Sequence, residues 1–392
     1  MNYSANPADP GFYQNPYPAY DEMRNLGICF YWQEYDQWCF PGYKEVSELL
    51  RDRRFGCQLD PLEPDTSLPA LSRFNKNSLL ELEPPAHTRL RRLVNRAFVS
   101  RQVERQRSRI ERLAHQLIDG FEGKGEVNLL TAYAEVIPII VICELLGVAT
   151  DMSDQLLQWS HKMVAIYEHA NDPEVERAAD EAAASFEAFI QEEIATKRSK
   201  PGDDLLTHLI DVEEEGDKLN LEELVTTCIL LLNAGHEATV HGIGNGVKSI
   251  LENGTDTQSI FATREGRSAV VEESLRYDPP LHMFPRFVRE DLEYGGQKFR
   301  RGDVIGLMLG SANRDPRRFY HADKFDLIRG GIGHVTFGAG IHFCVGAPLA
   351  RLELEIALPV LFDRLPGLAL AETPVYADRY HFHGLGQLNL SW

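Results

Sequence analysis

The chain has 392 residues, 43% hydrophobic and 25% charged, an ordinary globular balance that excludes a disordered, collagenous or coiled-coil protein. Asp and Glu outnumber Lys and Arg by 59 to 40, and a net charge of −19 would repel a phosphate backbone or an anionic lipid surface, so neither nucleic acid nor membrane is expected as a partner. Met1 to Pro18 carries no basic or apolar leader, the longest apolar run, Val136 to Cys143, is broken by Pro138, and the six cysteines form no CxxC pair. These features predict a soluble, cytoplasmic chain with reduced thiols.

Taken in chain order, Ile28 to Phe40 alternates polar and aromatic residues and predicts strand, and the Pro-rich piece from Asp60 to Pro69 predicts a loop. Helical periodicity then takes over: His87 to Phe98 continuing through Gln102 to Phe121, Leu129 to Leu146, Ser153 to Glu168, and Pro173 to Lys197. A long helix from Leu221 to Leu251 opens at Asn220 as N-cap, with Glu222 and Glu223 in a first turn that favours carboxylates. Its middle holds Gly235, His236, Glu237 and Thr239, then Gly242, Gly244 and Gly246. A strand at Phe284 to Val288, a hairpin around Gly295-Gly296 and a helix from Leu349 to Val360 complete the pattern. No repeat or linker interrupts it, so the expectation is a mainly α protein with small β-sheets, one domain over residues 1–392.

The densest cluster of unusual residues is Phe337-Gly338-Ala339-Gly340-Ile341-His342-Phe343-Cys344-Val345-Gly346, directly before a helix. Its glycines permit tight turns and close approach of the backbone to a flat object. A thiol at a helix N-terminus favours the thiolate, the metal-binding form. A single cysteine is ordinarily a buried structural residue; the glycines and His342 outweigh that reading here. Zinc is the weaker alternative, because no second Cys/His pair stands at motif spacing. His381 and His383 could share one strand face, but a structural C-terminal hairpin is the preferred reading.

Every fixed position of this loop resembles the haem-binding signature of the cytochrome P450 family, Phe-Gly-x-Gly-x-His-x-Cys-x-Gly. The resemblance implies the cytochrome P450 fold, with haem b between a long central helix and the Gly-rich Cys loop, Cys344 as its axial metal ligand, and Phe337, Gly338, His342 and Gly346 beside it. Glu273 and Arg276 look like the family's Glu-x-x-Arg pair, with Arg329 as the further arginine. Residues three apart share a helix face, and a carboxylate between two guanidiniums makes a charge-assisted network. In isolation such a pair is usually a solvated surface contact. Pro84 to Arg92 is similar to the segment whose His and Arg contact a haem propionate. His87 and Arg91 are four apart on one helix face, and Arg286 and His342 are expected to serve the same end. The likeness runs from about Pro16 to Trp392 and is to the soluble bacterial members.

One departure stands on the long helix. Family members usually place an acid directly before a threonine, whereas here Glu237 precedes Ala238, and Thr239 lies about 100° further round the helix. Proton delivery then rests on a substrate hydroxyl or carbonyl that fixes the water, on local unwinding at Gly235 that lets Thr239 reach it, or on unconventional chemistry; the first is preferred. The resemblance implies a monooxygenase that inserts one oxygen atom of O2 into an apolar small molecule. Electrons would come from NAD(P)H through ferredoxin reductase and ferredoxin, since no flavin, iron–sulfur or G-x-G-x-x-G module is present. The chain is expected to act as a monomer. The alternatives are a peroxide-using or redox-neutral haem-thiolate enzyme, or a non-catalytic haem ligand-binding protein. Pocket walls are expected from Leu62 to Leu82, Met163 to Tyr167, Leu231, Ala234, Met283-Phe284 and Phe382. Ferredoxin docking is expected at Arg89, Arg92, Arg96, Arg101 and Arg105, a basic region on an acidic chain.

Overall fold

Turn chemistry sets the sheets. Gly295 and Gly296 both take positive φ, at 62° and 78°, and join Leu292–Tyr294 to Gln297–Phe299 as an antiparallel hairpin. Ile28 to Phe40 is not one strand. A short 3₁₀ turn, Gln33–Tyr35, separates Phe30–Trp32 from Gln37–Phe40, and the two strands pair antiparallel. They belong to a six-stranded sheet in the order Asn2–Tyr3, Phe30–Trp32, Gln37–Phe40, Val304–Leu307, Phe284–Val288, Phe55–Gly56. The computed structural model describes all residues except 61, 63, 64, 99, 168–171, 215 and 330–332. The side chains of 100, 101, 167, 213 and 214 also fall outside the described set. The expected pocket wall at Leu62 to Leu82 and the helix end at Glu168 therefore lie partly outside it, as do the side chains of Tyr167 and Arg101.

The chain folds as two compact units. One comprises residues 1–59, 110–135 and 238–392. It holds the six-stranded sheet, whose Phe40, Ile305, Leu307 and Val288 pack with Val46, Leu49 and Phe299 in one buried cluster. Its helices Arg264–Tyr277 and Ala347–Arg364 flank the second half of the long helix, where Gly242 lies against Leu354 and Gly246 against Leu358. The mid-helix glycines thus face neighbouring side chains.

The other unit comprises residues 60–109 and 136–237 and is almost wholly helical. The 27-residue helix Pro173–Ser199 carries Phe186 and Phe189 against Trp159 of helix Ser153–Val164, with ring centroids 5.2 and 6.0 Å apart. Helix Ala86–Ala97 buries His87, Leu90, Leu93, Val94 and Ala97 on one face. The long helix, Leu221–Glu252, opens with a capping box: Asn220 Oδ1 accepts from the Glu223 amide at 2.9 Å, and the Asn220 amide donates to Glu223 at 3.0 Å. Among the described residues no helix is long and apolar enough to cross a membrane.

Candidate active site

The Cys loop is built from its backbone. Gly338 and Gly340 sit at φ 67° and 71°, in the left-handed region where a side chain is strained. Gly340 also presses on the chain at Leu50, where a Cβ would come within 2.5 Å of a carbonyl oxygen. The Cys344 amide donates to the Phe337 carbonyl at 3.0 Å and closes the loop. Its start is anchored by Thr336, whose hydroxyl donates to the Leu275 carbonyl at 2.7 Å and accepts from Asn313 at 2.8 Å. Of the six cysteines, none in a disulfide, Cys344 is the exposed one; Cys39, Cys143 and Cys228 are buried, and burial pushes their thiols up to about 12. Cys344 precedes helix Ala347–Arg364, with Phe343 exposed beside it.

Beneath the loop lies a clamp that the sequence pattern did not reveal. Arg351, one turn into the helix after Cys344, binds Glu272 bidentately at 2.5 and 3.1 Å and stacks over Phe337 at 4.4 Å. His334 Nε2 stands 3.3 Å from the same carboxylate. Burial alone would raise the Glu272 carboxyl, but His334 and Arg351 outweigh it and hold the group down at about 2.

The next residue carries the expected network. The Glu273 carboxylate accepts from Arg276 at 2.7 and 2.8 Å and from the Asp326 amide at 2.7 Å, with Arg329 at 3.4 Å. Arg276 donates onward to the carbonyls of Asn313, Ala322 and Lys324, each at 2.9 Å. Glu273 is 5% and Arg276 1% exposed, so this is an interior network, not a surface pair. Glu273, Arg276 and Arg329 are brought together.

The other expected cofactor contacts fall on separate elements. Arg286 is buried in strand Phe284–Val288, donating to the Pro285 carbonyl at 2.8 Å. His342 ends a one-turn 3₁₀ helix, Gly340–His342, and is half-buried. His87 is buried in helix Ala86–Ala97, where Arg91 donates to Asn95 at 3.0 Å. In the expected basic region, Arg89 pairs with Asp217 at 3.1 Å and with Glu223, and Arg105 pairs with Asp203 at 2.7 Å. Arg89 and Arg105 are thus ion-paired, while Arg92 and Arg96 are exposed. His381 and His383 lie in the segment that joins Val375–Tyr376 to Leu385–Gln387, strands that pair antiparallel as the expected C-terminal hairpin, and His383 is buried 3.4 Å from Asp278.

The long helix runs unbroken through Gly235. That overturns the unwinding alternative: Thr239 remains about 100° round from Ala238. Along this mostly buried helix Ala234 is exposed and Ala238 partly exposed, four residues apart on one face that carries nothing larger than a methyl group. Beside that face, Glu237 Oε2 lies 3.5 Å from His161 Nε2 and 3.7 Å from His236 Nδ1. Met163 and Leu231 are buried, and Asn233 Nδ2 sits 3.5 Å from Met163 Sδ.

An exposed thiol, held by a glycine loop at the start of a buried helix, marks the haem-thiolate class. The sequence profile of Cytochrome P450 matches residues 42–365, and the chain belongs to that family. Cytochrome P450 107B1 of Saccharopolyspora erythraea is 39% identical over 348 residues, covering 86% of this chain and 84% of its own. The 6-deoxyerythronolide B hydroxylase of the same organism is 36% identical over 376 residues, covering 92% and 91%. The crystal structure of P450BioI in complex with an acyl carrier protein ligated to hexadec-9Z-enoic acid matches with a TM-score of 0.91 at 32% identity, covering 97% of this chain and 100% of that one. The protein is a P450 monooxygenase, which removes the non-catalytic alternative. Its residues fit a haem on their own terms: the donor is a single exposed thiol, the loop holding it has its bulk removed by glycine, and the long helix is pared to methyl groups at Ala234 and Ala238.

Proposed function

We propose that this enzyme inserts one oxygen atom of O2 into an apolar small organic molecule, with electrons passed from NAD(P)H through ferredoxin reductase and ferredoxin. In this reading it works as one catalytic domain, a cytoplasmic monomer carrying haem b. The observation that carries the proposal is the exposed Cys344 thiol in its closed glycine loop. A haem ligated there supplies the reductive activation of O2.

The chain's own residues do the rest. Cys344 binds the metal; Phe337, Gly338 and Gly346 shape the loop. His87, Arg91, Arg286 and His342 are the donors for the propionates, and their burial or partial burial strengthens hydrogen bonds to a carboxylate. The Glu273–Arg276–Arg329 network and the Glu272–Arg351 clamp position the loop. Glu237 holds the proton to be delivered. Ala238 has no hydroxyl to order a water, so a polar group on the substrate does so in place of Thr239, which the unbroken helix keeps about 100° round from Ala238. Exposed Arg92 and Arg96 lead the docking face for the acidic ferredoxin.

Turnover of an apolar substrate panel with ferredoxin, its reductase and NADH, set against turnover with hydrogen peroxide, tests this reading. Product should form with the electron-transfer proteins and exceed that formed with peroxide. Product from peroxide alone would replace it with the peroxide-using alternative.

A further inference from the structure

One cluster has no part in the loop or its supports. Within the unit of residues 60–109 and 136–237, helix Ser153–Val164 meets the long helix at Asn233 and Met163. Beside this contact stand His161, His236 and Glu237, one ligand atom from each lying within 4.8 Å of the other two. His236 is 2% exposed, and neither of its ring nitrogens has a hydrogen-bond partner. Glu237 is 7% exposed, whereas the His161 side chain is 56% exposed. Two buried donors therefore adjoin a third at the surface.

We propose that His161, His236 and Glu237 bind a divalent transition-metal ion of the zinc class. Two imidazoles and a carboxylate are a donor set such ions take. Donor atoms on one tetrahedral zinc, each about 2.0–2.2 Å from it, lie about 3.4 Å apart. The two distances to Glu237 Oε2, 3.5 and 3.7 Å, are close to that edge. His161, at the surface, closes the third edge by turning its ring, and water takes the fourth position. Bound zinc ties Ser153–Val164 to the long helix and engages the Glu237 carboxylate. Inhibition by zinc follows from the proton role proposed above for Glu237, whereas binding itself does not depend on it.

The grouping Asp278, His282 and His383 offers similar residue types and makes a useful contrast. All three are buried. Tyr17 donates to Asp278 at 2.6 Å, Tyr376 donates to it as well, and the Tyr20 hydroxyl lies 2.7 Å from His282 Nδ1. Tyr376 also stacks on His383 at 4.0 Å. With tyrosines engaging it and no exposed member, this grouping gives an ion no entry.

Calorimetric titration of the haem-loaded protein with zinc chloride decides the matter, with His161→Ala and His161→Cys as variants. His161 is exposed, so neither substitution threatens folding. The parent should bind one equivalent that His161→Ala binds at least about tenfold more weakly, and His161→Cys, which restores a ligand, should recover it. Zinc should raise the melting temperature of the parent more than that of His161→Ala. Equal stoichiometry and affinity in the parent and His161→Ala would overturn the site. Zinc binding that leaves turnover unchanged would keep the site and overturn the proton role of Glu237 instead.

Discussion

Two helical glutamates are buried to nearly the same degree, Glu273 at 5% and Glu237 at 7% exposure, yet their surroundings differ in kind. Glu273 meets two guanidiniums and a backbone amide, and Arg276 passes its remaining donors to three carbonyls. Such a network is rigid, because every change leaves a buried charge unmatched. Glu237 meets two imidazoles at 3.5 and 3.7 Å, one of them exposed. The exposed His161 ring leaves this carboxylate open to an incoming ligand, whereas Glu273 is closed in by its partners. One site holds the fold; the other keeps its chemistry available.

The contrast breaks most visibly at Arg276. Arg276→Ala leaves the Glu273 charge buried without its bidentate partner, a loss of about 3–5 kcal/mol. Soluble haem-loaded protein should be nearly absent, measured as haem per mole of purified chain. An Arg276→Ala protein with full haem content would show that Glu273 is no more structural than Glu237. At the second glutamate the expected change is catalytic: Glu237→Gln should keep haem content and the substrate-induced spectral shift while lowering product formation by about 10² to 10⁴-fold. Unchanged turnover would remove Glu237 from proton delivery.

A third carboxyl sharpens the scale. Glu353, on the helix after Cys344, is fully buried, neither oxygen has a hydrogen-bond partner, and burial pushes its carboxyl well above the usual range. The folded state keeps the proton that the unfolded chain releases near pH 4.5, so stability is highest below that pH and falls as pH rises above it. Glu353→Gln removes this loss. The melting temperature should rise by a few degrees at pH 7 and stay level at pH 4; a gain of equal size at both values would exclude the titration as its cause.

What was legible in the sequence was what is contiguous. The Cys loop occupies ten neighbouring residues, Glu273 and Arg276 share one helical turn, and the Asn220 cap and Gly295-Gly296 hairpin are each fixed by a few adjacent residues. Side chains that meet across long separations left no such signal. Arg351 and Glu272 are 79 residues apart, and nothing in the local pattern of either points to the other. His161 lies on a helix remote from Glu237 in sequence, and there it looks like any polar residue on an amphipathic face. Short helices such as Tyr43–Leu49 and Leu205–Asp211 span about two turns, too few for a hydrophobic repeat to declare itself. The unbroken helix at Gly235 was hidden for another reason: glycine permits unwinding without requiring it.

The contrast between the two glutamates matters only if Cys344 holds the haem that they respectively support and serve. The spectrum of the reduced carbon monoxide complex of Cys344→Ala, compared with that of the parent at equal haem content, measures this directly. Thiolate ligation by Cys344 predicts a red-shifted Soret band in the parent and its loss in the variant. A stable variant that keeps the parent's band would contradict it.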